Sequence, residues 1–306
     1  MTDSRSLARK NIKKGLNFTI MTVGHSGLGK TTFVNTLLET TVIPKKEIPD
    51  GYHSSLPKEI DIQTYTLDID EGGNKISVSI VDTPGFGDSL NNTDSPQKLM
   101  EYLETQFDEF LAEETRIKRN PKSEDKRVHV ILYFISPFGH SLKEIDIQTM
   151  KLLSKRANII PVIAKADGLN ATELQHYKRR IMEDIRKFQI PIYDFPFDPE
   201  EDDAEFIKLS LEMRNCLPFA LIGADHEMVE NGRRKRGRMY PWGFVDVDNP
   251  KHSDFSKLKK VLLNTNLNDL KEITQLILYE NYRTEKLSEG MEMEEGQQVP
   301  EAEVSA

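Results

Sequence analysis

Short apolar runs alternate with amphipathic stretches along most of this chain. Buried strands are predicted at four apolar runs, Phe18–Val23, Val128–Ile135, Asn158–Ala164 and Leu217–Ile222. Apolar residues at helical spacing predict helices over 31–39, 96–118, 143–155, 172–187, 255–263 and 267–283. Because strands and helices alternate, we expect an α/β fold with a mostly parallel sheet covered by helices on both faces.

One pair of strands departs from this alternation. Strand-like runs at Ile60–Ile69 and Lys75–Val81 are joined by the turn-forming residues Asp70–Asn74, which predicts an antiparallel hairpin. Loops are predicted over 40–59, which is rich in proline, and over the acidic residues 198–205. Residues 231–238, NGRRKRGR, predict a basic hairpin or loop.

The strongest chemical signal is a glycine-rich turn between the first strand and the first helix. Residues 24–31, GHSGLGKT, match G-x-x-x-x-G-K-[ST], in which backbone N–H groups and the helix N-terminus surround a phosphate. We expect Lys30 to reach the β- and γ-phosphates and the Thr31 hydroxyl to ligate Mg²⁺. The alternative is a glycine turn without a ligand. The predicted nucleotide contacts here are Gly24, His25, Ser26, Gly27, Leu28, Gly29, Lys30, Thr31 and Thr32.

A second motif, IVDTPG, ends the strand at residues 80–85. Asp82 is placed to hold Mg²⁺ together with Thr31, and the Gly85 backbone N–H is placed to meet a γ-phosphate. A turn that merely ends the strand is the alternative, because D-T-P-G is favourable turn chemistry on its own.

The segment AKAD, residues 164–167, bears on which base is bound. It resembles the [NTA]-K-x-D segment with which P-loop GTPases read guanine. The resemblance implies that the Asp167 carboxylate accepts hydrogen bonds from guanine N1–H and from its exocyclic amine, and that the Lys165 stem packs on the ring. Adenine has neither donor and would leave a buried carboxylate unpaired. The sequence therefore favours guanine. The competing functional interpretation is an adenine nucleotide. The alternative without a ligand is that Asp167 only ends the strand and caps the next helix.

Charge divides the 306-residue chain into three parts. The net charge is −9, from 41 Lys and Arg against 50 Asp and Glu, which argues against a general nucleic-acid binder. The last 22 residues carry seven Glu and one Lys, so this acidic segment, 285–306, is predicted to be disordered. Residues 1–14 are basic.

Two further features bound the kind of protein. The single cysteine, Cys216, excludes an internal disulfide, and no apolar run has the length of a membrane span.

Further segments give the chain a strong resemblance to the septins, which are filament-forming GTP-binding proteins. The amino-acid sequence of residues 107–146 is most similar to that of fungal septins. Besides the three motifs, the matching residues are Glu114 with Arg119, Arg127–His129, Tyr133–His140, Leu142 with Asp146, Arg236–Gly243, Val247–Asn249, Ser253–Phe255, Asn268–Thr274 and Tyr279–Arg283. Together they cover residues 13–284, almost everything except the tail.

The resemblance implies a Ras-like P-loop GTPase fold with a six-stranded, mostly parallel sheet over 15–284, including a septin-specific element at about 239–284. It implies two further base contacts, Gly223 and Arg238, and places Glu173 with His140 where a neighbouring subunit meets the nucleotide. GTP or GDP with Mg²⁺ is the implied cofactor.

The implied partners are other septins in hetero-oligomeric filaments that act as scaffold and diffusion barrier in cytokinesis or morphogenesis. The implied location is cytoplasmic and cytoskeletal, in a ring at the division site or bud neck and on the membrane-associated cortex. An anionic, phosphoinositide-containing membrane surface is a further expected partner, through Arg9, Lys10, Lys13 and Lys14. No nucleic-acid partner is expected.

Two positions predict very slow or absent GTP hydrolysis. Phe86 directly follows D-T-P-G, where Ras-type enzymes carry a glutamine that orients water. Septins that hydrolyse GTP resemble one another in a threonine before the second strand, and the corresponding residue here is Glu59. The alternative function is a soluble signalling GTPase that cycles between GTP and GDP. No heptad pattern follows Arg283, so a C-terminal coiled coil is not expected.

Overall fold

A six-stranded sheet forms the centre of the molecule. The computed structural model describes residues 16–44, 62–71, 74–85, 95–117, 124–230 and 232–297. The strands of the central sheet are β1 (Leu16–Gly24), β2 (Gln63–Glu71), β3 (Asn74–Asp82), β4 (Val130–Ile135), β5 (Asn158–Ile163) and β6 (Phe219–Ala220). Their spatial order is β2-β3-β1-β4-β5-β6.

The pairing of these strands confirms the predicted fold class. β2 and β3 form the antiparallel hairpin, with Gln63 opposite Asp82 and Glu71 opposite Asn74. The pairings of β1 with β3, β1 with β4, β4 with β5 and β5 with β6 are all parallel. Every residue of β4 and β5 is buried, as expected for parallel strands that are covered on both faces.

Helices cover both faces of the sheet. They are α1 (Lys30–Leu37), α2 (Ser95–Glu114), α3 (Glu144–Leu153), α4 (Ala171–Lys187), α5 (Ala204–Cys216) and α6 (Phe255–Lys260). Side chains of β1 alternate between the two cores, because successive residues of a strand point to opposite faces. Phe18 and Ile20 pack with α1, α5 and α6, whereas Met21 and Val23 pack with α2, α3 and α4. None of the described helices is both long and apolar enough to cross a membrane.

A second, antiparallel sheet follows the central one. It consists of β7 (His226–Glu230), β8 (Arg233–Tyr240) and β9 (Gly243–Asp246). The basic segment predicted as a hairpin or loop is thus largely the middle strand, which pairs on both sides. The Arg236 guanidinium joins this sheet to the end of α1: Nη1 donates to the Thr36 carbonyl at 3.1 Å, and Nη2 lies 3.1 Å from Asp248 Oδ1.

The C-terminal part of the chain is helical almost throughout. After α6, a π-helical turn at Val261–Thr265 leads into α7 (Leu267–Ile273), and a second such turn at Thr274–Tyr279 leads into α8 (Glu280–Gln297). Helix α8 thus includes residues 285–297, over which the acidic composition predicts disorder. Glutamate and methionine have high helix propensity, and the Arg156 guanidinium ties Glu285 to the body at 2.6 Å. Residues 298–306 and the basic residues 1–14 lie outside the described residues.

The buried side chain of Asn158 links the sheet to these C-terminal helices. Its Nδ2 lies 2.8 Å from the His129 carbonyl oxygen, 3.1 Å from the Leu270 carbonyl oxygen and 3.2 Å from Thr274 Oγ1. This one amide therefore joins the central sheet to α7 and to the π-helical turn after it. Losing the amide would be costly, because buried acceptors need donors.

Replacing Asn158 by alanine should therefore destabilise the protein. Asn158→Ala removes the buried side-chain donor of these three contacts, and we expect it to lower the free energy of unfolding by about 1–3 kcal/mol. Urea unfolding followed by circular dichroism at 222 nm measures this change. Gln175→Ala, on the exposed face of α4, is the control and should change stability by no more than about 0.5 kcal/mol. Equal midpoints for the two variants would contradict the role of Asn158.

Candidate functional site: a nucleotide pocket

The glycine-rich turn between β1 and α1 forms one wall of the candidate site. Gly29 is the N-cap of α1 and has φ 85°, a left-handed conformation that favours glycine. The chain can therefore turn sharply and begin a helix at Lys30. The N–H groups at the start of α1 have no partner within the helix, so they form an environment suited to an anion.

Lys30 lies under this turn as a buried cation. Its Nζ donates to the carbonyl oxygens of Gly24 and His25, each at 2.9 Å. Only 7% of the residue is exposed. These two contacts hold the ammonium group beside the turn. The arrangement concentrates positive charge where the sequence predicts phosphate binding.

The end of β3 forms the next part of the site. Thr22 Oγ1 donates to Asp82 Oδ1 at 3.4 Å, and Thr83 Oγ1 donates to the Thr22 carbonyl at 2.7 Å, so β1 and β3 fix each other's ends. Gly85 then approaches the glycine-rich turn very closely. A Cβ atom at Gly85 would lie 2.3 Å from both the Cα and the N of Ser26, a separation that no side chain can occupy.

The opposite end of the site contains a buried carboxylate. Asp167 lies in the short helical turn Ala166–Gly168 after β5, and only 2% of its side chain is exposed. Its Oδ2 accepts hydrogen bonds from Arg238 Nη1 at 3.3 Å and from the Tyr240 hydroxyl. Its Oδ1 is buried and has no hydrogen-bond partner. An ionised oxygen in this condition is unfavourable unless a ligand supplies a donor.

The hydroxyl of Tyr240 is a hydrogen-bond donor at neutral pH. Burial, together with the hydrogen bond to Asp167 and the charge of that carboxylate, raises the pKa of Tyr240 to about 12. The Arg238 side chain, which is 29% exposed, has a second carboxylate within reach, since its Nε lies 3.8 Å from Asp225 Oδ2.

These walls enclose a cavity of about 590 Å³, a size that accommodates a nucleotide-sized ligand. The structure thus brings together segments that are far apart in the sequence. The predicted residues that line the cavity are Ser26, Gly27, Leu28, Gly29, Lys30, Thr31, Thr32, Asp82, Gly85, Lys165, Gly223 and Arg238.

Four predicted residues lie outside the lining. Gly24 and His25 contact Lys30 through their carbonyl groups, and Asp167 is connected to the cavity through its ion pair with Arg238. Glu173 has a different local role. Its carboxylate accepts the Asn170 N–H at 3.0 Å and its own N–H donates to Asn170 Oδ1 at 2.9 Å, which forms a capping box for α4. Within one chain, Glu173 is therefore a helix-capping residue.

Some residues of the site have no counterpart in the predictions. Gln63, Tyr65, Ile43, Pro44 and Asp225 line the cavity, and Tyr240 contacts Asp167. Tyr240 is 73 positions from Asp167, so local patterns cannot reveal the contact. One signal in the sequence does point to Tyr240. It lies two residues after Arg238, and residues i and i+2 of a strand share a face, so Tyr240 lies on the same side of β8 as the predicted base contact.

Comparison with known proteins decides the family. A family model described as Septin matches residues 14–296. The chain belongs to the septin family. Septins bind guanine nucleotides and generally form hetero-oligomers with other septins.

The similarity to individual septins extends over most of the chain. Septin homolog spn3 of Schizosaccharomyces pombe is 48% identical over 281 residues, which are 92% of this chain and 75% of that protein. Cell division control protein 11 of Saccharomyces cerevisiae is 46% identical over 285 residues, 92% of this chain and 68% of that protein. Septin-4 of Homo sapiens is 43% identical over 277 residues, 90% of this chain and 58% of that protein.

A solved septin structure supports the fold. The crystal structure of Cdc11 from Saccharomyces cerevisiae matches with a TM-score of 0.61 and 37% identity, covering 89% of this chain and 100% of that one. The predicted septin fold, a P-loop GTPase with a mostly parallel six-stranded sheet, is thus confirmed.

The close approach of Gly85 to Ser26 gives a test of this septin's pocket. Gly85→Ala places a methyl group against backbone atoms, so the loop after β3 must move away from the glycine-rich turn. We expect at least a roughly tenfold loss of guanine-nucleotide affinity, measured by isothermal titration calorimetry.

The matched control for this change is Gly168→Ala. A Cβ at Gly168 would meet no atom within 4 Å, so affinity should stay within about twofold of the unmodified chain. If Gly85→Ala binds as tightly as Gly168→Ala, the proximity of the two loops does not matter for binding.

Proposed function

We propose that this septin holds a guanine nucleotide with Mg²⁺ in the pocket as a structural ligand, hydrolyses it very slowly or not at all, and serves as a subunit of hetero-oligomeric filaments. The observation that carries the base assignment is the buried Asp167 Oδ1 without a hydrogen-bond partner. Guanine presents two adjacent donors, N1–H and the 2-amino group, on one edge. A carboxylate accepts both, whereas adenine offers no such pair.

The residues at the other end of the pocket suit a charged phosphate chain. The N-terminus of α1 and the buried Lys30 cation would hold the phosphates. Thr31 and Asp82 would supply protein oxygens to Mg²⁺, whose chemistry here is to neutralise phosphate charge. No group of three or more His, Cys, Asp or Glu capable of holding a metal occurs among the described residues. Mg²⁺ commonly takes one or two protein ligands and completes its shell with phosphate oxygens and water.

Assembly through two faces is proposed from exposed apolar side chains. Trp242, next to the nucleotide pocket, is 79% exposed, and Leu276 and Ile277 on the C-terminal helices are 60% and 53% exposed. Large apolar residues that remain exposed in one chain are favourable contacts in an assembly. The pocket face, with Arg238 and Trp242, would form one contact, and the region 267–283 the other. A ring at the division site is the proposed location.

Contact with an anionic membrane through Arg9, Lys10, Lys13 and Lys14 is also proposed. These residues lie outside the described part of the chain. Each basic residue near an anionic leaflet contributes about 1 kcal/mol, so four together would be enough for salt-sensitive binding.

Replacing the carboxylate of Asp167 by an amide tests the base assignment. Asp167→Asn presents one acceptor and one donor, which complements xanthine, whose position 2 carries an oxygen. We expect GDP affinity to fall at least about tenfold and xanthosine diphosphate affinity to rise by a similar factor, because each mismatched polar pair is costly. Competition calorimetry measures both. An unchanged preference for GDP would show that Asp167 does not read the base.

Turnover is tested by mixing the purified protein with an equal amount of GTP and Mg²⁺. Phe86 and Glu59, from which slow hydrolysis is predicted, lie outside the described residues. We expect the rate constant of phosphate release to be no larger than that of intrinsic Ras-type hydrolysis, about 10⁻⁴ s⁻¹. The control is Glu59→Thr, which should accelerate release. Prompt release by the unmodified chain would instead favour the cycling, signalling type of GTPase.

A further inference from the structure

The carboxylate proposed to read the base is already engaged within the chain. Arg238 Nη1 donates to Asp167 Oδ2 at 3.3 Å, and the Tyr240 hydroxyl donates to the same oxygen. The other oxygen, Oδ1, accepts nothing. The donors on Asp167 are thus distributed unevenly, two on one oxygen and none on the other.

This distribution conflicts with the requirements of guanine. A carboxylate has about four lone-pair sites, two on each oxygen. The N1–H and 2-amino donors of guanine are spaced to reach one oxygen each. Oδ1 is available for one of them, but both sites of Oδ2 are taken. One of the two donors on Oδ2 must therefore leave when guanine binds.

Tyr240 is the donor that can leave at lower cost. Arg238 is a cation, so its bond to Asp167 is charged on both sides and correspondingly strong. It is also held by Asp225, 3.8 Å from its Nε. The phenol of Tyr240 is neutral, and once released it regains a hydrogen bond to water at the partly exposed end of β8.

We infer that Tyr240 is a specificity-determining residue of this site, whose hydroxyl competes with guanine for Asp167 and is displaced when the base binds. The inference rests on the proposed guanine function. In the empty pocket, the Tyr240 hydroxyl thus occupies one oxygen of the base-reading carboxylate, and the other oxygen stays without a donor. Adenine does not contact both carboxylate oxygens, so its binding does not depend on removing Tyr240.

Displacement of Tyr240 would be transmitted to the exposed tip between β8 and β9. The Tyr240 and Trp242 rings are stacked, with centroids 4.8 Å apart and an angle of 8° between their planes. Trp242 is the only tryptophan of the chain and is 79% exposed. Its fluorescence therefore reports on whether the hydroxyl of its stacking partner is held at Asp167.

The test compares Tyr240→Phe with the unmodified full chain, both stripped of nucleotide, by calorimetric titration with GDP and with ADP in the presence of Mg²⁺. Removing the competing hydroxyl should tighten GDP binding by about three- to tenfold, since a hydrogen bond to a charged group is lost only from the empty state. ADP affinity should stay within about twofold. Addition of GDP should change Trp242 emission in the unmodified chain and far less in the variant.

Tyr102→Phe is the matched control. It removes a hydroxyl that lies 3.5 Å from Thr64 Oγ1, outside the cavity, and should change neither affinity. Equal GDP affinity for Tyr240→Phe and the unmodified chain, with GDP still preferred over ADP, would overturn the role of Tyr240 and leave the guanine assignment intact. A parallel rise for GDP and ADP would overturn it too. If neither protein prefers GDP to ADP, the guanine assignment fails, and the inference fails with it.

Discussion

Parallel pairing of the central strands is the constraint on which the whole site depends. Because β3, β1, β4 and β5 run in the same direction, their carboxyl ends meet at one edge of the sheet. Each connection that leaves this edge carries a different part of the chemistry. The turn after β1 carries the backbone N–H groups proposed to hold phosphate. The end of β3 and the loop after it supply Asp82 and Gly85, and the turn after β5 supplies Lys165 and Asp167. The second sheet closes the pocket from outside, where Arg236 fastens it to α1.

The binding chemistry at this edge comes from two buried charges of opposite sign at the two ends of the pocket. Lys30 is a buried cation whose Nζ donates to two backbone carbonyl groups, and Asp167 is a buried carboxylate with one oxygen unused. The unused oxygen of Asp167 is unfavourable in an empty interior, and a ligand that is negative at one end and rich in donors at the other suits both groups. A guanine nucleotide, the ligand class of the septin family, has this polarity.

Local patterns in the sequence were sufficient for much of this architecture. The apolar runs of β4 and β5, the hairpin of β2 and β3 and the turn before Lys30 each depend on neighbouring residues, so they could be predicted. Features that depend on distant contacts could not. Tyr240 meets Asp167 across 73 positions, and α5 was missed because its buried face is narrow, with Ser210 and Met213 as its buried residues. The acidic composition beyond Glu285 predicts disorder, whereas α8 continues there, since glutamate also favours helices.

A crystal structure of this septin with GDP and Mg²⁺ tests the central claim most directly. The account predicts that guanine N1 and the 2-amino nitrogen lie within hydrogen-bond distance of the two Asp167 oxygens, one each. It also predicts that the Tyr240 hydroxyl has moved beyond about 3.5 Å from that carboxylate. A structure in which the base faces another group while Tyr240 remains on Asp167 would contradict the account.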